Sequence, residues 1–486
     1  MIKRMLFLFY ILSIALAQTA TTEKLYLDIN SDITNFLPGR NPAYLSPNTT
    51  PYAYTFTYNN FSSGGDYRLP FDAGSKAYQD ISVTAYKEMQ NEIMFVGRFA
   101  YRYEQRKDKM WLHNAENDLN IPFYFADSSI GDFTLNGIDW NILISLPLTR
   151  NIRTAVDIFY NVDEQFKSVF PKPNIKRNNI HIRPALAISN ERSQLGIVAS
   201  FFQYKEDMNT RRYSLEQGRT PIFMRIRGLD KPLLTYAETS EERLQTIRGY
   251  GVSGNINLSE HLLFESHYES SYAGILDGGS YPVPQGSWDM ARFSYRVDLQ
   301  PSITPNLDVD LFFQHRSENV EGFHPVLENR IYGYLSRHFE GGLTLPYYTG
   351  SGEMWAGTVS CSFQDIKRED NFLGLLHYFP GNTLHFGMHY TLEQNNVSYK
   401  LQLGYDNIIV GDEIIYDDMA AWYYSQITER EIAYYVQDRE QLSASGKIVF
   451  PFRQYQIQLS GSYTAIIPKY LETRYHLVQT SIAFIF

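Results

Sequence analysis

Apolar and polar residues alternate in short stretches that recur along most of the chain. In Gln454–Ala465, one face carries tyrosine, isoleucine, leucine, glycine and alanine, and the other carries only glutamine, serine and threonine. Ala291–Gln300, Asn306–Gln314, Thr383–Glu393 and Asn396–Tyr405 repeat this pattern. A period of two predicts β-strands with one apolar face. These stretches are too numerous for one soluble core to bury, so they indicate a barrel whose apolar faces contact lipid.

The connections between the predicted strands alternate between short turns and long loops. Short turns fall at Glu88–Asn91, Leu148–Asn151, Asn190–Ser193, Leu258–Glu260 and Phe450–Arg453, whereas long loops fall at Gln105–Gly131, Asn161–Asn178, Lys205–Ile247, Ser271–Trp288 and Gly411–Glu440. This asymmetry is typical of outer-membrane barrels. The sequence therefore predicts an all-β fold, a transmembrane antiparallel up-and-down β-barrel of about 14–18 strands. The predicted strands are 52–60, 80–89, 92–104, 133–148, 152–164, 178–189, 193–206, 248–258, 261–273, 287–301, 304–318, 353–365, 370–379, 382–393, 396–408, 442–450, 454–466 and 473–486.

The N-terminus has the pattern of a secretory signal peptide. Two basic residues, Lys3 and Arg4, precede the apolar run Met5–Ala17, which is too short to span a membrane as a helix. The predicted organisation is a signal peptide over 1–17, a plug or periplasmic strap over 18–50, and the barrel over 51–486. A disordered leader is the alternative for 18–50. The predicted cleavage site comprises Ala15, Ala17 and Gln18.

Composition narrows the class of protein further. Aromatic residues make up 15% of the chain, with 38 Tyr and 31 Phe, and tyrosine suits the interface between lipid and water. The net charge of −10 argues against nucleic acid as a partner. The single cysteine, Cys361, excludes an internal disulfide. After Ala17 no apolar stretch is long enough for a transmembrane helix.

Both ends of the mature chain resemble known barrels. The chain closes on an amphipathic stretch ending in Phe484, Ile485 and Phe486, which resembles the signal that the barrel assembly machinery reads in outer-membrane proteins. Near the other end, Asn41, Pro42 and Ala43 are similar to the hatch motif of FadL-like and PorV-like barrels. The tyrosine-rich strands look most like uncharacterised outer-membrane barrels of Bacteroidota. These resemblances imply the outer membrane of a Gram-negative bacterium, with lipopolysaccharide as a neighbour, and no agreed activity.

Charged residues in mid-strand, on the polar faces, are the candidates for a functional lumen. Acidic and basic stripes on opposite walls would select charged solutes, or the same residues would form salt bridges to a plug. His385 and His389 lie four residues apart on one strand, roughly 13 Å, too far to bind one metal together. The candidate lumen charges are Glu265, Glu269, Arg292, Arg296, Asp298, Asp308, Asp310, His385, His389, Lys400 and Lys447.

Two of the predicted long loops carry unusual side chains. The Gly411–Glu440 loop is acidic and aromatic, which suits a glycan or a protein partner, or a lid folded into the barrel mouth. The Lys205–Ile247 loop is rich in arginine, which suits lipopolysaccharide phosphate or simple solvation. The aromatic residues proposed for partner binding are Trp422, Tyr423, Tyr424, Tyr434 and Tyr435.

Three functions remain after these observations. The first is a channel or transporter for small solutes, because the strand count leaves an interior. The second is a non-conducting subunit of a larger outer-membrane complex, such as a TonB-dependent transporter or a secretion or assembly machine. The third is a barrel hydrolase, although the chain has no linear catalytic, metal-binding or cofactor-binding motif, so neither an enzyme nor a cofactor is predicted.

Overall fold

The computed structural model describes residues 41–44, 52–112, 121–190, 193–210, 222–229, 233–236, 241–258, 262–304, 306–349, 352–394, 397–416, 427–452, 455–470 and 473–486. These residues form a closed antiparallel barrel of 18 strands, which confirms the predicted fold class. The strands are β1 (Tyr52–Gly65), β2 (Ser75–Glu88), β3 (Met94–Leu112), β4 (Phe123–Thr149), β5 (Ile152–Lys167), β6 (Asn174–Ser189), β7 (Ser193–Asn209), β8 (Ile222–Arg227), β9 (Leu233–Tyr236), β10 (Glu242–Leu258), β11 (Leu262–Asp277), β12 (Val283–Leu299), β13 (Ser302–Thr304), β14 (Leu307–Asp308), β15 (Asp310–Phe323), β16 (Arg330–Tyr348), β17 (Glu353–Asp370), β18 (Leu375–Gln394), β19 (Val397–Val410), β20 (Ile414–Tyr416), β21 (Arg439–Phe452), β22 (Tyr455–Pro468) and β23 (Tyr475–Ile485).

The ring closes where β23 pairs with β1. Thr55 lies opposite Ile485, and Phe56 opposite Phe484, with their rings 6.4 Å apart. The short strands β8, β9, β13, β14 and β20 are not members of the ring. The remaining 18 strands pair consecutively all the way round. The C-terminal stretch predicted to guide assembly is therefore a full member of the barrel wall.

The two ends of the barrel differ in their connections. At one end, which we name the turn end, β4 joins β5 and β18 joins β19 through two residues each. At the other, the loop end, residues 210–241 separate β7 from β10, and residues 411–438 separate β19 from β21. The five predicted short turns are confirmed, and the predicted loops Lys205–Ile247 and Gly411–Glu440 contain the long connections. The predicted long loops Asn161–Asn178 and Ser271–Trp288 were wrong, because the strands on either side extend through them and leave only residues 168–173 and 278–282 as connections. Gln105–Gly131 is likewise shortened to residues 113–122.

The outer surface carries the apolar face of the strands. Large side chains such as Trp140, Phe201 and Tyr250 point outwards, and each is more than half exposed. An apolar band of this size is stable against lipid tails, because its exposure to water would be energetically unfavourable. The inner surface carries the polar face. Among the described residues, no helix is long and apolar enough to cross a membrane.

The predicted strands were wrong in the region 319–381. β16 was missed, and the two predicted strands 370–379 and 382–393 are one continuous strand, β18. Pro380 suggested a turn because proline cannot donate a ladder hydrogen bond. It is tolerated here because the neighbouring wall is interrupted between β19 and β20, and the Pro380 carbonyl accepts from the Gly411 amide at 2.9 Å. Because one strand was missed and another was predicted as two, the total number of predicted strands still equals the number in the ring.

Two of the predicted loops contribute an ordered cover inside the loop end. The first residues of β4, 123–127, pair with β8, and β8 pairs with β9. We name residues 121–127 and 222–227 the lid. Phe123 of the lid packs among inward side chains of β11, β12, β15 and β16, and Phe125 packs against β6 and β7. The lid therefore reaches across the barrel from one wall to the other.

Candidate functional site

One side of the barrel interior is filled by charged side chains. We name the inward faces of β3–β7, β10 and β11 the sealed wall. Most of its carboxylates and several of its cations are buried, and they form ion pairs along the wall. The pairs include Arg102–Asp139 at 2.9 Å, Arg177–Asp163 at 2.5 Å and Arg243–Asp277 at 2.7 Å. Buried charges of this kind are stable only when they are paired, so these side chains are held against the wall by their partners.

The opposite side carries short polar side chains. We name the inward faces of β19, β21 and β22 the open wall. Its residues are half-buried or exposed, in contrast to those of the sealed wall. Ser445 donates to the Gln402 amide oxygen at 3.1 Å, across neighbouring strands. Small hydroxyl side chains leave the space beside them to water. The open wall includes Gln402, Gly404, Ser443, Ser445, Ser460 and Ser462.

A cavity of about 520 Å³, which we name the chamber, lies between the sealed wall and the lid. Ile121 of the lid contributes to its lining, and the remaining lining side chains come from barrel strands. The lining mixes arginines and carboxylates with aromatic rings. Its size is in the range usual for sites that bind small molecules. The aromatic residues are Phe159, Phe202, Tyr204 and Trp288.

Buried ion pairs hold the lid in place. The Lys167 ammonium donates to both carboxylate oxygens of Asp127, at 2.7 and 2.8 Å, and to the Ser129 carbonyl at 2.8 Å. Both members of the Lys167–Asp127 pair are almost fully buried. On the second lid strand, Arg225 donates to Asp277 at 2.7 Å. Two strands of the sealed wall, β5 and β11, are thus tied to the two strands of the lid.

A short helix, α1 (Glu429–Tyr435), continues the cover at the loop end. Arg368 of the wall donates to both oxygens of Glu431, at 2.7 and 3.1 Å, and both residues are buried. Tyr435 stacks on Phe379 with ring centroids 5.1 Å apart. Burial raises the pKa of the Tyr435 phenol, which therefore stays neutral.

The helix accounts for part of the predicted aromatic loop. Tyr434 stacks on Tyr67 at 4.8 Å, and the Tyr67 hydroxyl donates to the Tyr434 carbonyl at 2.8 Å. Tyr434 and Tyr435 therefore pack into the barrel mouth, as in the alternative in which the Gly411–Glu440 loop folds into its own barrel. Trp422, Tyr423 and Tyr424 lie outside the described residues, and partner binding stays a prediction.

The predicted acidic and basic stripes lie side by side. Glu265 is directly opposite Arg296 on the neighbouring strand, and Glu269 is directly opposite Arg292. Arg296 also donates to Asp298 at 2.9 Å. Opposite charges on adjacent strands neutralise each other locally, so these residues do not generate the transverse field that stripes on opposing walls would produce.

The remaining candidate lumen charges lie closer to the turn end. His385 is hydrogen-bonded to Asp406 at 2.5 Å, and Lys400 lies directly opposite Lys447. His389 lies beside Gln402, Asp310 opens β15, and Asp308 ends the short strand β14. No group of three or more His, Cys, Asp or Glu within the described ranges is arranged to hold a metal ion. Their role in selecting solutes stays a prediction.

The Asn-Pro-Ala segment lies inside the barrel. The Asn41 amide donates to the Leu186 carbonyl at 2.8 Å, and Ala43 packs against inward alanines of β5 and β6. Contacts with β4, β5 and β6 place this short helical turn against the sealed wall. Whether it acts as a hatch stays a prediction. The signal cleavage residues Ala15, Ala17 and Gln18 lie outside the described residues.

Sequence reasoning missed the chamber and the lid. Arg102, Asp139, Asp163 and Arg177 were not singled out, and Trp288 was placed at a loop boundary. A signal was present, because Arg98, Arg102, Glu104 and Arg106 repeat every second or fourth residue on the inward face of β3. Charge at this density in mid-strand indicates pairing with neighbouring strands rather than exposure to a wide lumen.

Comparison with known proteins gives one family and several distant folds. The model of a family of unknown function (DUF6850) matches residues 42–486. No curated protein matches the chain. The FrpB iron transporter from Neisseria meningitidis (F3-3 variant) has a TM-score of 0.45 at 9% identity, covering 89% of this chain and 81% of that one. BauA, the ferric preacinetobactin receptor from Acinetobacter baumannii, has a TM-score of 0.38 at 8% identity, covering 90% of this chain and 79% of that one. At these values, neither likeness extends beyond general architecture.

Proposed function

The chain belongs to the family of unknown function DUF6850, and we propose that it is an outer-membrane barrel that carries small polar solutes along its open wall. In this proposal the loop end faces outwards and the turn end faces the periplasm, as in other outer-membrane barrels. The observation that supports it most is the contrast inside one ring. One wall carries ion pairs between long side chains, and the other carries mainly short polar side chains that are half-buried or exposed.

The proposal includes the finer features that the sequence predicts. The chain would be exported to a Gram-negative outer membrane after cleavage behind Ala17, and it would be assembled by the barrel assembly machinery through Phe484 and Phe486. Phe486 exchanges backbone hydrogen bonds with Tyr54 of β1, at 2.8 and 3.1 Å, so the terminal strand completes the ring. Lipopolysaccharide and other outer-membrane proteins would be its neighbours, and no catalytic residue is assigned.

Solute uptake into proteoliposomes tests the transport proposal. The protein is reconstituted, and swelling is measured in uncharged and charged solutes of increasing size. In Ser445→Trp, a bulky ring is placed on the open wall, and we expect uptake to fall to less than about half. The matched control is Ala444→Trp, one residue away on the lipid-facing side, where we expect uptake to be unchanged. Equal uptake in the two variants would contradict a path along the open wall.

A second candidate is a non-conducting subunit of a larger outer-membrane complex. The observation that favours it is the anchored cover at the loop end, where buried ion pairs hold both strands of the lid. In that case the wild-type protein would conduct nothing after reconstitution, and it would leave the membrane in mild detergent together with a partner. A conducting monomer would exclude this candidate.

A further inference from the structure

The chamber combines three features that usually occur together at a ligand site. It is concave, it is lined by aromatic rings, and it presents convergent polar groups. It also lies directly beneath the lid, where a solute entering from the loop end would first meet the sealed wall. The chemistry of this lining therefore bears on which solutes the barrel accepts.

The charges of the chamber are compensated where they stand. Arg102 is within 2.9 Å of Asp139 and 3.6 Å of Asp163, and the Arg177 guanidinium donates to Asp163 at 2.5 Å. On the other side, Arg292 donates to Glu318 at 2.5 Å and lies 3.6 Å from Glu269. An ionic solute would have to compete with these pairs, and breaking a buried pair leaves an uncompensated charge. The lining therefore disfavours both anions and cations.

The same groups retain capacity for neutral hydrogen-bonding partners. A guanidinium has five donors and a carboxylate has about four acceptor positions, so an ion pair with one or two carboxylates need not use every donor or acceptor. A hydroxyl group both donates and accepts, and several neighbouring hydroxyls would fit alternating arginines and carboxylates. Asn161, Asn179 and Gln245 add amide groups to the lining.

Trp288 places a buried indole beside the chamber. Its side chain lines the chamber and is 2% exposed, and its indole nitrogen has no hydrogen-bond partner among the described residues. A buried indole N–H usually has an acceptor. Phe202 and Phe159 supply further ring surfaces in the same cavity, against which the C–H faces of a sugar ring pack well.

We propose that the chamber binds an uncharged, polyhydroxylated solute of the mono- or disaccharide class. This inference rests on the proposed function, because it names the solute class that the transport path would favour. The paired charges provide hydrogen bonds without a net field, and the rings provide stacking surface. Ions of similar size bind more weakly.

Tryptophan fluorescence and calorimetry on the purified full-length barrel test this inference. The probes are glucose, maltose, succinate and putrescine. We expect a saturable fluorescence change with a sugar, and affinities at least about tenfold weaker for the two ions. The change should be lost in Trp288→Phe and kept in Trp140→Phe, whose ring faces lipid. Binding of an ion as tight as that of either sugar, or binding by neither sugar, would overturn the inference.

A charge variant tests the electrostatic reason. Glu269→Gln combined with Glu318→Gln removes both negative charges beside Arg292 while keeping the shape of the side chains. We expect succinate to bind about tenfold more tightly than to the wild type. Heat-modifiable migration in electrophoresis shows that the variant is folded. Equal succinate affinity in the two proteins would contradict the compensation of charges described here.

Failure of this inference is distinguishable from failure of the transport proposal. If swelling assays show uptake that Ser445→Trp reduces, but no sugar binds, the open wall conducts and the chamber is not the sugar site. If sugars bind but nothing is taken up, the chamber is a binding site in a non-conducting barrel.

Discussion

The sealed wall and the open wall have the same alternation of apolar and polar residues, but they differ in the length of the side chains that point into the barrel. On the sealed wall, long side chains such as Arg102 and Arg177 extend inwards and meet carboxylates from neighbouring strands. On the open wall, many inward positions carry short side chains such as Ser443, Ser445 and Ser462, which end close to the backbone, and Lys400 and Lys447 are the long exceptions. The difference teaches that polarity decides which face points inwards, whereas side-chain length decides whether that face leaves a passage.

The largest expected effect comes from breaking the sealed wall where it holds the lid. In Asp127→Ala, the Lys167 ammonium keeps its burial and loses its carboxylate. Removing one partner of a buried pair costs about 3–5 kcal/mol, because an uncompensated charge remains. We expect the free energy of unfolding in urea to fall by that amount, and the lid to detach from β5. Bilayer conductance should rise as the loop end opens.

The control replaces both charges with apolar groups. Asp127→Leu with Lys167→Met removes the pair without leaving a buried charge, and such replacements are often neutral or stabilising. We expect near wild-type stability and a closed lid in this double variant. Conductance that is the same in wild type, single variant and double variant would show that the lid does not limit passage.

A second prediction compares two inward-facing glycines. A β-carbon at Gly249 on the sealed wall would lie 2.2 Å from the Phe202 ring and 2.7 Å from the Ser270 carbonyl. At Gly404 on the open wall, the closest atom is the Ser443 hydroxyl, which can rotate away. We expect Gly249→Ala to lower the free energy of unfolding by about 1–3 kcal/mol through overpacking. Gly404→Ala should change it by less than about 0.5 kcal/mol.

These two glycines are compared by unfolding from detergent micelles, followed by loss of heat-modifiable migration. Equal destabilisation by both substitutions would mean that the open wall is packed as tightly as the sealed wall. That result would also remove the support for a solute path beside β19 and β21.

The barrel class was predictable because its physical cause is local. A single strand carries the period-two alternation in its own sequence, and β22 shows it from Tyr455 to Ala465. β16 was missed because its faces do not sort by polarity. Its inward face includes Tyr332 and Tyr334, and its outward face includes Arg337 and Gly333. The position of β16 in the folded barrel, rather than its local sequence pattern, decides which face each of those residues occupies.

The lid and the chamber depend on contacts between distant segments, so they were not predictable. Residues 123–127 read as part of a long loop, yet they form a strand because β8, about a hundred positions later, pairs with them. The ion pairs of the chamber join neighbouring strands, and the order of these strands was predictable from the up-and-down topology. The register that brings Arg102 to Asp139 was not predictable. Register fixes which charges meet.

A smaller effect is expected from two lysines on the open wall. Lys400 lies directly opposite Lys447 on the neighbouring strand. Like charges opposite each other destabilise a sheet, so Lys447→Met should raise the free energy of unfolding by about 0.2–1 kcal/mol. Because the substitution also removes a positive charge from the proposed path, the reversal potential in a potassium chloride gradient should shift towards cations. An unchanged reversal potential would place these lysines outside the ion path.

The smallest effect on stability, and the sharpest comparison of the two walls, comes from two inward-facing serines. In a Cys361→Ser background, Ser445→Cys places a thiol on the half-buried open wall, and Ser200→Cys places one on the sealed wall, where Ser200 is 2% exposed. Serine-to-cysteine changes of this kind should alter stability by less than about 0.5 kcal/mol. A charged, membrane-impermeant methanethiosulfonate needs water to reach the thiol, so we expect labelling at position 445 to be far faster than at position 200. Labelling at 445 should also reduce solute uptake, whereas fast labelling at both positions would mean that water fills the two sides alike and that the sealed wall opens in solution.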